Sequence, residues 1–221
     1  MSDVLSPEKQ QASGSDLVAV MDQYASVPAQ TPLHMSKKAA VVSNSEVSGV
    51  TMKEIALLGH LTLRGDSHDQ GVVDAVAKVL GLPLPTLPLT SAEKDDKAIC
   101  WMSPDEWLIL VPGEQAYDVE VALREHLSGH FSIVNQSGGQ TVIELSGPQA
   151  VSLLKKSTTL DVHPKEFPVG KIAGSVLAKS SAIFRRADEQ RWQIIVRRSF
   201  ADYIWRWFSD AGKEYGLAIE K

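Results

Sequence analysis

The stretch AICWMSPDEWLILVPG, residues 98–113, decides the fold class of this chain. Two apolar runs, Ala98–Met102 and Trp107–Val111, flank the segment Ser103–Glu106, whose Ser, Pro and Asp favour a tight reversal of the chain. A Pro-Gly pair ends the second run, and apolar residues at helical spacing then extend over Glu114–Leu127. This order predicts a β-hairpin that leads directly into an α-helix.

The same order of elements occurs a second time further along the chain. A strand that ends at a glycine precedes a helix at both Gly65 and Gly147, and a tryptophan opens the last hairpin strand at both Trp107 and Trp192. We therefore predict an α+β fold of two related halves, each with the order strand, helix, hairpin, helix, in which the helices pack on antiparallel sheets. Because strand–glycine–helix junctions are common, a chance similarity is the alternative.

The chain divides into an arm and a body. Residues 1–50 are rich in Ser, Gln and Ala and are interrupted by prolines, with one short helix predicted at Asp16–Tyr24. We expect a flexible arm, or one that becomes ordered on a partner. Residues 51–221 form the predicted body, with the two halves at 51–129 and 130–221.

Composition excludes several classes of protein. The 221 residues include 22 Lys and Arg against 27 Asp and Glu, a net charge of −5, so nucleic acid is not an expected partner. The single cysteine, Cys100, excludes an internal disulfide, fits a reducing compartment and is expected to be a buried small apolar residue. No apolar run approaches the roughly 20 residues of a membrane span, and the N-terminal residues lack a secretory pattern. We therefore expect a cytoplasmic protein with no membrane partner.

The last predicted helix combines packing residues with a candidate docking surface. Ser199 is a suitable N-cap, with Asp202 three residues later as in a capping box. Trp205 and Arg206 lie off the apolar stripe of this helix, and both residue types are enriched at binding hot spots. We expect them to face a partner protein; the alternative is that Trp205 packs under a loop or under the arm of its own chain. The stripe consists of Phe200, Tyr203, Ile204, Trp207, Phe208 and Ala211.

Arg197 and Arg198 end the preceding strand just before this helix begins. Two guanidinium groups beside a helix N-terminus can bind a phosphate or a carboxylate. We interpret the pair as an anion site or as part of a subunit interface. The alternative is that each arginine pairs with a nearby acidic residue of its own chain.

The other polar residues form no recognisable catalytic or metal-binding set. His126 and His130 have the i, i+4 spacing of a helical metal pair, but Gly129 between them is expected to end the helix. Ser137-Gly138-Gly139 precedes a strand, whereas a dinucleotide-binding turn leads into a helix. The residues alone therefore favour a binding or structural subunit.

Several segments together resemble a known family. They are WMSPDEWL at 101–108, QSGGQ at 136–140, ELSGPQA at 144–150 and VRRSFADYIW at 196–205. In this order and spacing they resemble the gamma subunit of heterotetrameric sarcosine oxidase, over about residues 98–216 and more loosely over 55–85.

The resemblance implies a non-catalytic subunit of a four-subunit flavoenzyme. Such a complex oxidises the N-methyl group of sarcosine, giving glycine, hydrogen peroxide and a one-carbon unit that tetrahydrofolate captures. In that family FAD, FMN, NAD and folate bind to the alpha and beta subunits, and zinc binds to the delta subunit. This chain is then expected to bind no cofactor itself and to have the alpha, beta and delta subunits as partners. Similar subunits serve dehydrogenases of other N-methyl amino acids.

A more distant resemblance is to the folate-binding aminomethyltransferase fold of the glycine cleavage system. In that family an aspartate follows the helix that begins here near Gly147, and Asp161 occupies the matching place. It is interpreted either as a relic of a folate site or as the cap of a turn. The remaining folate-contacting residues have no counterpart, so a free-standing folate-dependent aminomethyltransferase-like protein is the alternative function.

Overall fold

The computed structural model of the chain describes residues 29–39 and 48–220. Within these ranges two β-sheets lie face to face, and helices cover the outer face of each, giving four layers in the order α/β/β/α. The helices are α1 His34–Ala39, α2 Gln70–Leu80, α3 Ala116–His126, α4 Ala150–Ser157 and α5 Ala201–Ala211. The strands are β1 Val50–Ile55, β2 Leu58–Arg64, β3 Ser91–Lys94, β4 Lys97–Ser103, β5 Glu106–Pro112, β6 Ser132–Asn135, β7 Gln140–Ser146, β8 Ile172–Leu177, β9 Ser180–Asp188, β10 Arg191–Arg197 and β11 Leu217–Ile219. The predicted α+β class is confirmed.

The two halves have the same topology. The elements β2, α2, β3, β4, β5 and α3 of the first half correspond in order to β7, α4, β8, β9, β10 and α5 of the second. The order β3-β4-β5-β2 in the first sheet likewise corresponds to β8-β9-β10-β7 in the second. In both halves a seven-residue strand passes through a three-residue 3₁₀ turn into an 11-residue helix. The predicted relation between the halves is therefore present in the fold.

Each half contributes its first strand to the sheet of the other half. β1 is the first strand of the first half but pairs antiparallel with β7 of the second half, with Met52 opposite Leu145. β6 is the first strand of the second half but pairs antiparallel with β2 of the first half, with Leu63 opposite Ile133. The outer edge of β1 pairs in turn with β11, in parallel. Two ladders of backbone hydrogen bonds therefore interlock the halves.

Three apolar layers stabilise this arrangement: one between each sheet and its helices, and one between the two sheets. The inner layer joins Cys100 and Leu108 of the first sheet to Val142 and Ile195 of the second. Burial raises the pKa of the Cys100 thiol to about 12. The residue is therefore a buried, protonated thiol at neutral pH, as predicted, and not a nucleophile.

The boundaries of β1, β2 and α2 differ from those that the sequence pattern predicts. A single strand is predicted over Ile55–Leu63, but β1 and β2 are separated by a turn in which Leu57 has a φ of 56°. A helix is predicted to open at Gly65, whereas α2 begins after Asp69, whose carboxylate accepts a backbone hydrogen bond of 2.8 Å from the first turn. The predicted end of this helix at Gly81 is confirmed by a left-handed φ of 69°.

Trp205 lies in the core, so the prediction that it lies outside is wrong. Its side chain is 2% exposed, whereas Phe200 and Tyr203 of the predicted stripe are 40% and 36% exposed. The apolar residues of α5 cover more of the helix surface than one sheet can bury. Packing against the second sheet buries the part of that surface that contains the large indole of Trp205. The buried face consists of Ala201, Ile204, Trp205 and Phe208.

Truncation of Trp205 tests this helix phase. Trp205→Ala is expected to lower the free energy of unfolding by about 3–5 kcal/mol, because it removes a large buried side chain. Tyr203→Ala, on the same helix, is the matched control and is expected to lower it by less than about 1 kcal/mol. Urea denaturation measures both. A larger loss at Tyr203 than at Trp205 would contradict the observed phase.

Candidate functional site

Part of the predicted N-terminal arm is packed against the body of the protein. Leu33 is buried in the apolar cluster that contains the buried face of α5. Ser36 Oγ donates a hydrogen bond of 2.5 Å to the Asp202 carboxylate on α5, and Lys37 Nζ lies 2.7 Å from the Glu54 carboxylate on β1. Residues 29–39 therefore belong to the body. Residues 1–28 and 40–47, which include the predicted helix Asp16–Tyr24, lie outside the described residues.

The contact between α1 and α5 replaces the predicted capping box. Ser199 lies inside the 3₁₀ turn before α5, and no side chain caps that turn or the helix. Asp202 instead accepts the bond from Ser36 and pairs with Arg206, whose Nε is 2.9 Å away. The Ser36 hydrogen bond, followed by the Arg206 contact, keeps the pKa of Asp202 below its usual value. Asp202 is therefore a charged link between the two helices.

A cleft of about 790 Å³ opens where the segment leading into α1 meets the β6–β7 turn and the start of α5. It is lined by Gln30, Thr31, Pro32, His34, Met35, Gly139, Arg197, Arg198 and Ser199, and we call it the arginine cleft. No carboxylate occurs among these lining residues. Neither Arg197 nor Arg198 forms an ion pair or a side-chain hydrogen bond within residues 29–39 and 48–220. The alternative of pairing with a nearby acid is therefore not realised in the described part of the chain.

The other two predicted interface residues behave differently. Trp205 is buried, and Arg206 is exposed but paired with Asp202. Met35 lines the arginine cleft and is 70% exposed, although the sequence pattern does not predict it as a site residue. Phe200 and Tyr203, which the pattern places on the packing stripe, are exposed. These apolar side chains, together with Arg197 and Arg198, are the candidate functional surface of the chain.

A second cleft, also of about 790 Å³, lies beside the β4–β5 turn and has paired charges. Arg64 donates to Asp105 at 2.6 Å, and Ser103 donates to the same carboxylate at 2.7 Å. These two hydrogen bonds keep the pKa of Asp105 below its usual value. Trp107 is fully buried and its Nε1 donates to the Pro85 carbonyl at 2.7 Å. The WMSPDEWL segment therefore stabilises a turn and its strand.

A third cleft, of about 500 Å³, lies between the sheets and is occupied by an ion-pair network. The buried Arg185 on β9 donates to Glu93 on β3 and to Gln193, at 2.6 Å each. Arg191 lies 3.3 Å from Glu93 and 3.5 Å from Glu144. The network joins the two sheets, and its charges compensate one another.

Asp161 is exposed, and its carboxylate accepts a hydrogen bond of 2.9 Å from the backbone N–H of His163. It lines none of the three clefts described above. This is the geometry of a turn cap.

The described residues offer no cluster of three or more His, Cys, Asp or Glu side chains that could hold a metal ion. α3 ends at His126, so His126 and His130 do not share a helix. Over the same residues, every helix is too short or too polar to span a bilayer.

His60 on β2 is buried in the layer between the sheets. Its Nδ1 lies 3.1 Å from the Leu58 carbonyl, while Nε2 is buried with no hydrogen-bond partner among the residues that the structure describes. Burial lowers the pKa of His60 below 6.5, and the bond to Leu58 opposes this only in part. The folded protein therefore favours the neutral imidazole.

Comparison with known proteins places these features in a family. Residues 64–214 match the "Sarcosine oxidase, gamma subunit family". This chain belongs to the sarcosine oxidase gamma subunit family. The match includes the β4–β5 turn and α5, the two segments on which the resemblance most depends.

Relatives of the gamma subunit family are similar over most of the chain. The sarcosine oxidase subunit gamma of Corynebacterium sp. (strain U-96) is 31% identical over 189 residues, which cover 81% of this chain and 89% of the relative. In the solved structure of heterotetrameric sarcosine oxidase from Corynebacterium sp. U-96 in complex with pyrrole 2-carboxylate, one chain superposes with a TM-score of 0.76 and 29% identity, covering 87% of this chain and 99% of that chain.

A second similarity is to aminomethyltransferases. The aminomethyltransferase of Bacillus subtilis (strain 168) is 30% identical over 145 residues, which cover 58% of this chain and 40% of that protein. The glycine cleavage system aminomethyltransferase T from Bartonella henselae has a TM-score of 0.63 at 11% identity, covering 85% of this chain and 58% of that chain. The predicted likeness of fold is confirmed, and the gamma subunit family gives the more complete match.

Loss of the packing of Leu33, next to α1, is expected to lower the stability of the whole body. Leu33→Ala should lower the free energy of unfolding by about 2–5 kcal/mol, because it leaves a cavity in the cluster beneath α5. Met35→Ala, two residues further along the chain and inside α1, is the matched control and should change it by less than about 0.5 kcal/mol. Urea denaturation compares the two variants, and equal effects would contradict the packing of Leu33.

His60 is expected to make stability depend on pH. His60 binds a proton less readily in the folded state than in the unfolded state, because its folded pKa is lowered from 6.5. The contribution of neutral His60 to the free energy of unfolding is therefore fully present above about pH 6.5, and it is lost as the pH falls from there through the lowered folded pKa. The free energy of unfolding should thus decrease from pH 7.5 to pH 5.5, and His60→Gln should reduce this slope. His126→Gln, at an exposed histidine, controls for the removal of one imidazole. An unchanged slope in His60→Gln would contradict the assignment.

Proposed function

We propose that this chain is the gamma subunit of a heterotetrameric sarcosine oxidase and that it supplies binding surface, with no catalytic group of its own. The observation that supports this most directly is the superposition on 99% of one chain of such a complex, with a TM-score of 0.76. The family match over residues 64–214 supports the same assignment.

The chemistry of the described residues is consistent with a structural role. The lone thiol is buried and protonated, and the charges of two of the three clefts are neutralised by partners. The oxidation of sarcosine to glycine, with transfer of the one-carbon unit to tetrahydrofolate, is then carried out by other subunits. We assign FAD, FMN, NAD and folate to the alpha and beta subunits, zinc to the delta subunit, and the complex to the cytoplasm.

The free-standing aminomethyltransferase is not favoured. The chain matches 40% and 58% of the two transferases, whereas it matches 89% and 99% of the two gamma subunit relatives. Asp161, the only residue carried over from that family, caps a surface turn.

The candidate functional surface supports assembly as the role. The side chains of Arg197 and Arg198 are without partners in the described ranges, and the exposed Met35 lines the same cleft. The exposed Phe200 directly follows the cleft residue Ser199, and Tyr203 lies one helical turn further along α5. Such a combination of arginine and aromatic side chains is typical of protein interfaces. We assign this surface to contact with another subunit.

Isolation of the chain tests the proposed function. Purified alone, it should show no flavin absorbance and should not oxidise sarcosine, because flavin chemistry requires a bound isoalloxazine that this chain is proposed not to hold. Co-expression with the other subunits should give a complex that contains the chain and oxidises sarcosine. The complex prepared without this chain is the control. A purified chain that transferred a methylene group to tetrahydrofolate unaided would overturn the proposal in favour of the transferase.

A further inference from the structure

The duplication provides an internal reference for the arginine cleft. By position in strand and turn, Arg197 and Arg198 correspond to Pro112 and Gly113 of the first half. The strand, the 3₁₀ turn and the helix have the same lengths at both places. The fold therefore forms this junction without any cation, and the two arginines are not required for it.

The backbone around the junction differs in a way that makes room for the arginine. In the first half Gly113 lies so close to the Leu57 carbonyl that a Cβ there would be 2.1 Å from the oxygen. In the second half Arg198 occupies the equivalent of Gly113, and its N–H donates to the carbonyl of Gly139 at 2.9 Å. Gly139, which precedes β7, corresponds to Leu57, which precedes β2. The glycine of this contact is therefore Gly113 in the first half and Gly139 in the second, and the long cationic side chain of Arg198 lines the cleft.

Charge and exposure indicate what this cleft binds. It contains two guanidinium groups and no carboxylate in a chain whose net charge is −5, whereas the arginines of the other two clefts are paired. Guanidinium groups bind carboxylates through paired N–H···O bonds. A small free anion would leave the exposed apolar side chains of Met35, Phe200 and Tyr203 uncovered, whereas a polypeptide segment would cover them.

We propose that the arginine cleft receives an acidic segment of a neighbouring subunit, whose Asp or Glu carboxylates bind Arg197 and Arg198 while its backbone and apolar side chains cover Met35, Phe200 and Tyr203. This inference rests on the proposed function, since it names the chemistry of the partner at the surface assigned to assembly. It specifies the charges on the two sides of the contact: this chain supplies the guanidinium groups and the partner subunit supplies the carboxylates.

A charge reversal with a matched control tests the proposal. The variant Arg197→Glu/Arg198→Glu and the control Lys78→Glu/Lys179→Glu change the net charge equally, and both control lysines are exposed and have no ion pair in the described ranges. Each variant is co-expressed with the other subunits, and the dissociation constant of the chain from the complex is measured at low and high salt. Urea denaturation of each chain verifies that both variants fold.

The expected result separates the cleft from a general charge effect. The arginine variant should bind about tenfold or more weakly than wild type, because the loss of one side of a buried charge pair raises the dissociation rate. Its binding should no longer weaken as salt is added, because the introduced Glu side chains repel an acidic segment and salt screens that repulsion. The control should bind as wild type. Equal binding by the arginine variant and wild type, or equal weakening of both variants, would overturn the acidic-segment proposal. Failure of the wild-type chain to assemble would overturn the proposed function and this inference together.

A photocrosslink identifies the occupant. A benzophenone amino acid in place of Ser199, which lines the cleft, should link to a peptide of another subunit that contains Asp or Glu, in the assembled complex. A link to residues 1–28 of the same chain, or to a partner peptide without acidic residues, would overturn the proposal even if assembly is intact.

Discussion

The exchange of β1 and β6 between the halves is the constraint on which the rest of the structure depends. Each sheet is completed by a strand from the opposite half, so the backbone hydrogen bonds of β1 with β7 and of β6 with β2 fix the relative position of the sheets. With the sheets fixed, the inner apolar layer and the Arg185–Glu93 pair can form between them. The positions of α5, of α1 and of the cleft between them follow from the same pairing of strands.

The duplication separates structural from functional residues within one chain. Trp107 and Trp192 are both fully buried at the second position of equivalent strands, which is the behaviour of residues that the fold requires. Positions that differ between the halves while the strand, turn and helix keep the same lengths, such as Gly113 and Arg198, are free to serve another purpose. The distinction needs no related protein, because each half of the chain is a reference for the other.

Much of the fold could be predicted from the sequence because hairpins, glycine ends and proline stops are local signals. The phase of α5 could not be predicted from that helix alone, since its apolar residues surround much of the axis and only the sheet decides which face is buried. The equivalent helix of the first half has the same phase: α3 buries its first, fourth, fifth and eighth residues, and α5 buries the same four positions. The strand exchange and the docking of α1 depend on contacts between distant residues, for which a single sequence gives no local signal.

The strand exchange also governs how the chain can fold as it leaves the ribosome. β1 is made first among the described strands, yet its partners are Gln140–Ser146 and Leu217–Ile219. Neither of its edges can pair until β7 in the second half has been translated, and one edge stays open until nearly the whole body has been made. Pairing over such long separations is slow, and an open strand edge is a template for aggregation. A nascent chain that is halted after its first half therefore has an unpaired strand, β1, and an incomplete sheet. The chain can reach its native fold only after the second half has emerged.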